Sequence, residues 1–199
     1  TTAYDGSGNG NHGTIAGATY VNGVGAPVAQ TSVIDWNKGV NLLTYSEDFS
    51  NIDWTKQSGV TLTSGQTAPD GSDTAFKVVG NGTNGFYKTG VLLTGVQARS
   101  IYLKSVSGSV SVIIKDPVKT VTSKTLNLTE NWARYDLIEY NTHGTACGLW
   151  INNIPSSGIF AWGAQIEPTA VGPYTPTIGT AQPTPVLLPQ GLTTGRDIT

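Results

Sequence analysis

The stretch Gln97 to Lys115 reads QARSIYLKSVSGSVSVIIK and is the part of the sequence that best shows how the chain folds. Apolar and polar residues alternate in it, first over Arg99–Lys104 and again after the turn pair Ser107-Gly108. Because successive side chains of a strand point to opposite faces, this alternation predicts two strands separated by a turn. Ile101 and Leu103 are predicted to face the core. The residues predicted to face outward are Ser100, Tyr102 and Lys104.

Short runs of this kind recur over about residues 36–175, and each run ends at Gly, Pro, Asn or Ser residues that are typical of turns. Strands are predicted near 58–63, 74–79, 85–93, 97–105, 109–115, 120–128, 131–140, 145–152 and 158–167. Eight or nine strands at this spacing favour an all-β fold, namely a two-sheet antiparallel β-sandwich of the jelly-roll type.

The composition agrees with an all-β chain and argues against several functions. Only 12% of the 199 residues are charged, 25 are glycine, and sustained runs of helix-forming residues are absent. The net charge is −2 and the basic residues are scattered, so no basic surface for nucleic acid is expected. Apolar runs fall far short of the roughly 18 residues that a membrane span needs. The single Cys147 excludes an internal disulfide and a cysteine zinc site.

The chain divides into three regions. Residues 1–35 combine turn residues with two short strand-like pieces around Gly17, and we predict a β-arm that is too short to bury a core alone. Residues 36–175 form the predicted sandwich. Residues 176–199 are predicted to form a proline-rich extended tail or linker. The lack of methionine, even at position 1, predicts that the chain is a processed product or a part of a longer polypeptide.

Alternation assigns faces in three further strands. In Ala146–Asn152, the residues predicted to lie opposite Cys147, Leu149 and Ile151 are Trp150 and Asn152. In Asn131–Tyr140, Arg134 and Asp136 are predicted to lie opposite Tyr135 and Leu137. In Gly158–Glu167, one side is predicted to hold Phe160, Trp162, Ala164 and Ile166, and the other Gln165 and Glu167. One exposed face is therefore predicted to collect Tyr102, Trp150, Arg134, Asp136, Asn152 and Gln165.

This face suggests a sugar-binding surface. Sugar rings present apolar C–H faces that stack on Trp or Tyr, and their hydroxyls bond to polar side chains. Trp150 and Tyr102 are the predicted stacking residues. The predicted hydrogen-bonding residues are Asn152, Gln165 and Arg134. The alternative is that Trp150 and Tyr102 pack under a loop, the N-terminal arm or a neighbouring subunit. The tryptophans predicted to belong to the core are Trp54, Trp132 and Trp162, and Trp36 is predicted to anchor the N-terminal arm.

No motif predicts catalysis. The two histidines, His12 and His143, lie in glycine-flanked turns, and no Gly-x-Ser-x-Gly nucleophile elbow is present. Gly80-x-Gly82-x-x-Gly85 has the spacing of a dinucleotide site, but a strand and not a helix is predicted after it. Asp5-x-Ser7-x-Asn9-Gly10 begins like a calcium loop, but Ala16 occupies the position where that loop needs a glutamate. A pair of glycosidase carboxylates among the thirteen acidic residues stays open.

Several motifs, in order along the chain, resemble a pattern common in bacteriophage tail and other virion proteins. They are Asn41–Ser50 (NLLTYSEDFS), Trp54-Thr55-Lys56, Ala68–Gly71 (APDG), Ser100–Lys104 (SIYLK), Trp132–Tyr135 (WARY), Ala161–Glu167 (AWGAQIE) and Pro173–Thr177 (PYTPT). The family looks like jelly-roll carbohydrate-binding modules attached to tail fibres, tailspikes and head proteins. The opening Asp5–Thr14 resembles the start of a laminin-G or concanavalin-like lectin domain, of which only the first hairpin would fit, so no lectin activity is carried over.

The resemblance implies a sandwich fold and a non-catalytic structural or adhesion role on the surface of a virion. The implied partners are other virion subunits, including copies of the same chain, and a host-surface carbohydrate, with neither nucleic acid nor membrane insertion. A structural calcium near Glu47 or Asp48 is also implied, since such ions are frequent in related jelly rolls, and no other cofactor is expected. The alternative function is a fragment of a polysaccharide depolymerase.

Overall fold

The structure, a computed structural model, describes residues 2–3, 13–14, 40–118, 122–141 and 146–181. The described residues form twelve strands and no helix, so none of them belongs to a helix that would cross a membrane. Strands β1 (Thr2–Ala3) and β2 (Gly13–Thr14) pair antiparallel with each other. The predictions made for the rest of residues 1–35, for Trp36, for both histidines and for residues 182–199 lie outside the described residues.

The other ten strands form two antiparallel sheets of five strands each. The first sheet has the order β10 (Ala133–Asn141), β7 (Gly95–Ser105), β12 (Ile159–Pro168), β5 (Ala75–Val79) and β4 (Thr61–Gln66). The second has the order β3 (Thr55–Lys56), β6 (Phe86–Leu92), β11 (Ala146–Asn152), β8 (Val110–Lys115) and β9 (Ser123–Leu128). The predicted all-β sandwich is therefore confirmed. Each of the nine predicted strands overlaps one of β4 to β12, and among these ten strands only the two-residue β3 is missing from the prediction.

The hydrophobic core lies between the inner faces of the two sheets. Ile101 and Leu103 of β7 are completely buried, as are Leu149 and Ile151 of β11, so the alternation found in the sequence marks the inner face of these two strands. Trp54 also belongs to this core, as predicted. Within the core, the rings of Phe49, Trp54 and Phe86 contact one another edge-on or at a tilt.

Strand β12 departs from regular alternation at Gly163. Its register with β7 shifts between Trp162 and Gln165, and Gly163 has φ of 64°, a conformation that favours glycine. A bulge of this kind adds one residue to one strand, so the alternation of inward and outward side chains shifts by one residue across it. Ala161 and Ala164 consequently both face the core although they are three residues apart.

The bulge overturns one face assignment. The sequence predicts that Phe160 and Trp162 share a face with Ala164 and Ile166, which is wrong. Phe160 pairs with Lys104 and Trp162 with Tyr102, and both face away from the core. Trp162 is buried, but in a small outer cluster and not between the sheets.

The completely buried Arg99 connects the two sheets. It stands on β7 of the first sheet, and its Nε donates to the backbone oxygen of Gly148 on β11 of the second sheet at 2.8 Å. Its Nη2 donates to the carboxylates of Asp116, at 2.8 Å, and Glu139, at 2.9 Å. Charged side chains are stable in the interior of a protein only while they remain paired with one another.

We expect Arg99→Met to destabilise the fold strongly, because it leaves the Asp116 and Glu139 carboxylates buried without their cation. Breaking a buried pair in this way costs about 3–5 kcal/mol in the free energy of unfolding, measurable by urea denaturation. Lys124→Met is the matched control, since it removes the exposed pair with Asp136 and should cost about 1 kcal/mol or less. Equal losses in the two variants would contradict the inter-sheet role of Arg99.

Candidate functional site

The structure divides the predicted binding residues between two opposite surfaces. Tyr102, Arg134 and Gln165 lie on the outer face of the first sheet, where Tyr102 pairs with both Arg134 and Trp162. Asp136 follows Arg134 on the same face of β10. Trp150 and Asn152 lie on the outer face of the second sheet. The prediction that all six residues share one face is therefore wrong, because alternation shows which residues of a strand share a side and not which strands share a sheet.

A segment that follows β12, the strap Thr169–Thr177, covers the first sheet beside Tyr102. Gln165 is completely buried under it, donates Nε2 to the backbone oxygen of Pro173 at 3.0 Å and accepts from the backbone N of Thr175 at 2.8 Å. Arg134 donates to Ser100 Oγ and to the backbone oxygen of Gly172. Both ends of the Gln165 amide hold the strap in place, so this amide is occupied by the protein itself.

Tyr174 anchors the strap to the aromatic residues below it. Its ring centroid lies 4.6 Å from that of Trp162 and 6.1 Å from that of Tyr102. Its hydroxyl donates to Glu47 Oε1 at 3.0 Å and shares a hydrogen bond of 2.8 Å with Ser46 Oγ. Burial raises the pKa of Tyr174 above its ordinary value. Tyr102 therefore packs under a segment of its own chain.

The strap also continues the packing past the predicted boundary between the sandwich and the tail. Thr177 is buried, and its Oγ1 donates to the backbone oxygen of Leu43 at 2.8 Å. Its backbone N donates to Ser46 Oγ at 2.8 Å. Contacts with the sandwich thus extend at least two residues beyond position 175.

A second aromatic pair, Trp132 and Phe160, lies at another part of the same outer face. The two ring centroids are 6.4 Å apart, and Lys104 Nζ lies 5.1 Å from the first and 5.0 Å from the second. Both rings are half-buried. Trp132 is thus an outer-face residue that packs against the small cluster around Trp162, and its predicted place in the core is wrong.

The outer face of the second sheet, here called the Trp150 face, is built by alternate residues of four strands. They are Tyr87, Thr89, Ser111, Ile113, Lys115, Ser123, Thr125, Asn127, Trp150 and Asn152. Most carry hydroxyl or amide groups, one is a cation, and none is a carboxylate. A sheet surface of aromatic rings, hydroxyls and amides matches a sugar ring, which has both apolar C–H faces and polar hydroxyl groups.

Trp150 occupies the middle of this face between two cross-strand neighbours. Tyr87 on β6 and Lys115 on β8 both pair with it directly. The Tyr87 and Trp150 ring centroids are 5.3 Å apart, and Lys115 Nζ lies 3.7 Å from the centroid of the Trp150 ring, a cation–π contact. The sequence does not predict that Tyr87, Lys115 and Trp150 lie together, because they come from three separate strands.

Two polar atoms of the Trp150 face, Trp150 Nε1 and Asn152 Oδ1, are buried and have no hydrogen-bond partner among the residues that the structure describes. Asn152 is only 8% exposed, and its Nδ2 donates to Asn153 Oδ1 at 3.0 Å. Leaving a buried polar group unpaired costs about 1–3 kcal/mol, so such groups are rare unless they serve a purpose. A free donor and a free acceptor two residues apart on one strand suit a ligand that carries hydroxyl groups.

The predicted calcium residues, Glu47 and Asp48, line a groove with a volume of about 400 Å³. The Glu47 carboxylate accepts from Tyr174, and that of Asp48 accepts from the backbone N of Ser50 at 3.1 Å. Within the described ranges, no group of three or more His, Cys, Asp or Glu side chains is arranged to hold a metal ion. The calcium ion stays a prediction.

Comparison with solved structures identifies the fold. The chain is similar to the xylan-binding CBM22-1 domain of Xyn10C from Paenibacillus barcinonensis, with a TM-score of 0.52 and 18% identity over 65% of this chain and 94% of that domain. The tandem CBM22-1-CBM22-2 domain of the same protein gives 0.51 and 19%, over 68% of this chain and 48% of the tandem. The enzymatically active domain of tailspike protein 4 from bacteriophage CBA120 gives 0.44 and 18%, over 66% and 23%.

The protein therefore has the jelly-roll fold of carbohydrate-binding modules. At these identities the similarity establishes the fold and leaves the ligand open. No protein-family model and no curated protein sequence matches the chain. The phage origin and the N-terminal lectin-like fragment remain predictions from the sequence.

We expect Tyr174→Ala to loosen the strap, because it removes the ring that packs on Trp162 and Tyr102. The ring is half-buried, so its loss should cost less than the loss of a fully buried ring, about 2–3 kcal/mol in the free energy of unfolding. Tyr174→Phe is the matched control: it keeps the ring, loses the bonds to Glu47 and Ser46, and should cost about 1–2 kcal/mol. Denaturation curves measure both losses, and equal stability of the wild type and Tyr174→Ala would show that the strap does not depend on this ring.

Proposed function

We propose that the chain is a non-catalytic glycan-binding module and that the Trp150 face is its binding surface. The observation that carries the proposal is the half-buried Trp150 with Tyr87 beside it, next to a buried amide oxygen and an indole N–H that the protein leaves unpaired. The carbohydrate-binding-module fold supports the same function, and a similar domain is named as xylan-binding.

The chemistry of the surface fits the two sides of a sugar. The C–H face of a pyranose ring packs on the indole or phenol ring and removes apolar area from water. The sugar hydroxyls then donate to Asn152 Oδ1 and accept from Trp150 Nε1. Each unpaired atom gains the partner that the free protein does not provide, which favours the bound state.

The same surface does not have the groups that glycoside hydrolysis uses. Glycosidases place two carboxyl groups on either side of the bond that is cleaved, about 5–10 Å apart. None of the ten residues that form the Trp150 face is Asp or Glu. Binding without turnover is therefore the function that this face supports, in preference to a fragment of a depolymerase.

The sequence motifs support one location for the module. The motifs between Asn41 and Thr177 resemble those of phage tail and head modules, which supports a place on the virion surface, where a glycan of the host would be the ligand. The Trp150 face would then serve host attachment.

We expect Trp150→Ala to lower glycan affinity at least about tenfold, a change of about 1.4 kcal/mol in binding free energy, because it removes the stacking ring and its N–H together. Binding is measured on a glycan array and then by calorimetry with the best ligand. Trp132→Ala is the matched control, since it removes a half-buried tryptophan from the opposite sheet and should leave affinity unchanged.

Three outcomes of this experiment would count against the proposal. They are an array on which the wild type binds no glycan, an affinity that depends on Trp132 and not on Trp150, and a polysaccharide that becomes shorter during incubation. The last outcome would support the depolymerase alternative. Circular dichroism of each variant separates a lost site from a lost fold.

A contact with neighbouring virion subunits is a second candidate function, favoured by an exposed apolar patch. Val96, Ile138 and Tyr140 are 37%, 49% and 67% exposed, and Tyr140 pairs directly with Val96 on the outer face of the first sheet. Strand β10, which carries two of them, is an edge strand of that sheet. Apolar side chains on an edge strand favour pairing with another chain.

We expect the wild type to self-associate through this patch and Ile138→Lys/Tyr140→Lys to be monomeric. The added charges would have to be buried without partners in the interface, which opposes association. Sedimentation velocity over a range of concentrations measures the oligomeric state, with Trp150→Ala as a control that should associate like the wild type. A wild type that stays monomeric at every concentration would rule out association through copies of this chain.

A further inference from the structure

The centre of the Trp150 face carries a cation that no carboxylate of the described residues neutralises. Lys115 Nζ lies against the Trp150 ring, and no described Asp or Glu forms an ion pair with it. Two other lysines of the sandwich do have such partners: Lys88 pairs with Asp53 at 2.8 Å and Lys124 with Asp136 at 3.1 Å. Lys115 is thus held by a ring, as Lys104 is on the opposite sheet, and not by an acid as Lys88 and Lys124 are.

The nearest acidic residue in sequence is turned to the other side of the sheet. Asp116 follows Lys115 directly, but it is 1% exposed and its carboxylate accepts from Arg99 at 2.8 Å. Because neighbouring residues of a strand point in opposite directions, the anion lies inside the sandwich and the cation outside. The ammonium group of Lys115 is therefore available to an anion that comes from the solvent side.

We propose that the Trp150 face selects acidic glycans, those whose sugars carry carboxylates such as uronic acids, and that Lys115 is the residue that pairs with the carboxylate. The proposal rests on the glycan-binding function above and names its ligand class. An acidic sugar beside Trp150 gains a charge-assisted hydrogen bond from Lys115 Nζ. A neutral sugar that stacks on the part of the ring covered by Lys115 displaces the ammonium group and gains no ion pair in exchange.

The unpaired atoms distinguish a sugar acid from a simple anion. Asn152 Oδ1 is an acceptor, so it needs a donor such as a hydroxyl group, which phosphate or sulfate at neutral pH provides poorly. Trp150 Nε1 needs an acceptor. A ring that carries both hydroxyls and a carboxylate offers the kind of partner that each of these two atoms and Lys115 lacks.

The test compares acidic polysaccharides with the same polymers after their carboxyl groups have been reduced to alcohols. The probes are polygalacturonate, alginate and hyaluronan, each in both forms, with xylan and galactan as neutral polymers, all measured by affinity electrophoresis. We expect the wild type to bind at least one acidic polymer about tenfold more tightly than its reduced form, with an affinity that falls as salt is added.

The variants assign the preference to one residue. Lys115→Gln should abolish the difference between acidic and reduced polymers, and Lys115→Arg should keep it. Lys104→Gln is the matched control, because it removes the same charge from a cation–π contact on the opposite sheet and should leave the preference intact. Trp150→Ala should weaken binding to both forms.

The outcomes separate this inference from the function on which it rests. Equal binding of acidic and reduced or neutral polymers that still depends on Trp150 would overturn the acidic preference and leave glycan binding in place. A preference that survives Lys115→Gln would remove Lys115 from its role. Failure of the wild type to bind any of the polymers would overturn the preference, and a glycan array without a ligand would in addition overturn glycan binding itself.

Discussion

The buried amides of Asn41 and Gln165 hold the strap on the first sheet. The covering of that sheet's outer face depends on this interaction. Asn41 Nδ2 donates to the backbone oxygens of Ala164 and Thr175, both at 2.9 Å, while Gln165 bonds to the backbone of Pro173 and Thr175. Without the strap, buried amide groups would lack partners at a cost of about 1–3 kcal/mol each. The strap therefore closes the part of the first sheet beside Gln165, and the second sheet keeps its aromatic centre uncovered by that segment.

The ion group in the interior and the cation on the surface have a common origin in strand β8 and the residue after it. Asp116 enters the interior to pair with Arg99, which joins the two sheets. Lys115, one residue earlier, must then point outward, where it meets Trp150. The ion pair that joins the sheets thus occupies, inside the sandwich, the carboxylate that follows Lys115 in sequence.

Trp150 and Trp162 show how similar residues acquire different roles. Both stand on outward positions of central strands, one in each sheet. Trp162 lies under Tyr174, and its Nε1 donates to Thr74 Oγ1 at 2.8 Å, so all of its interactions are internal. Trp150 has a cation on one side and an N–H without a protein partner. The surroundings of each ring, and not the residue type, make one structural and the other a candidate for binding.

The sequence by itself determines the strands, the inner face of most of them and the outward position of Trp150. These follow from alternation and turn residues, which are local properties with a period of two. The placement of Trp150 beside Tyr87 and Lys115, and its separation from Tyr102, are decided only by the tertiary structure. Strand partners are distant in sequence, and their order depends on how the whole core packs. The bulge at Gly163 is decided at the same level, because the fit of β12 against β7 and the strap selects its positive φ.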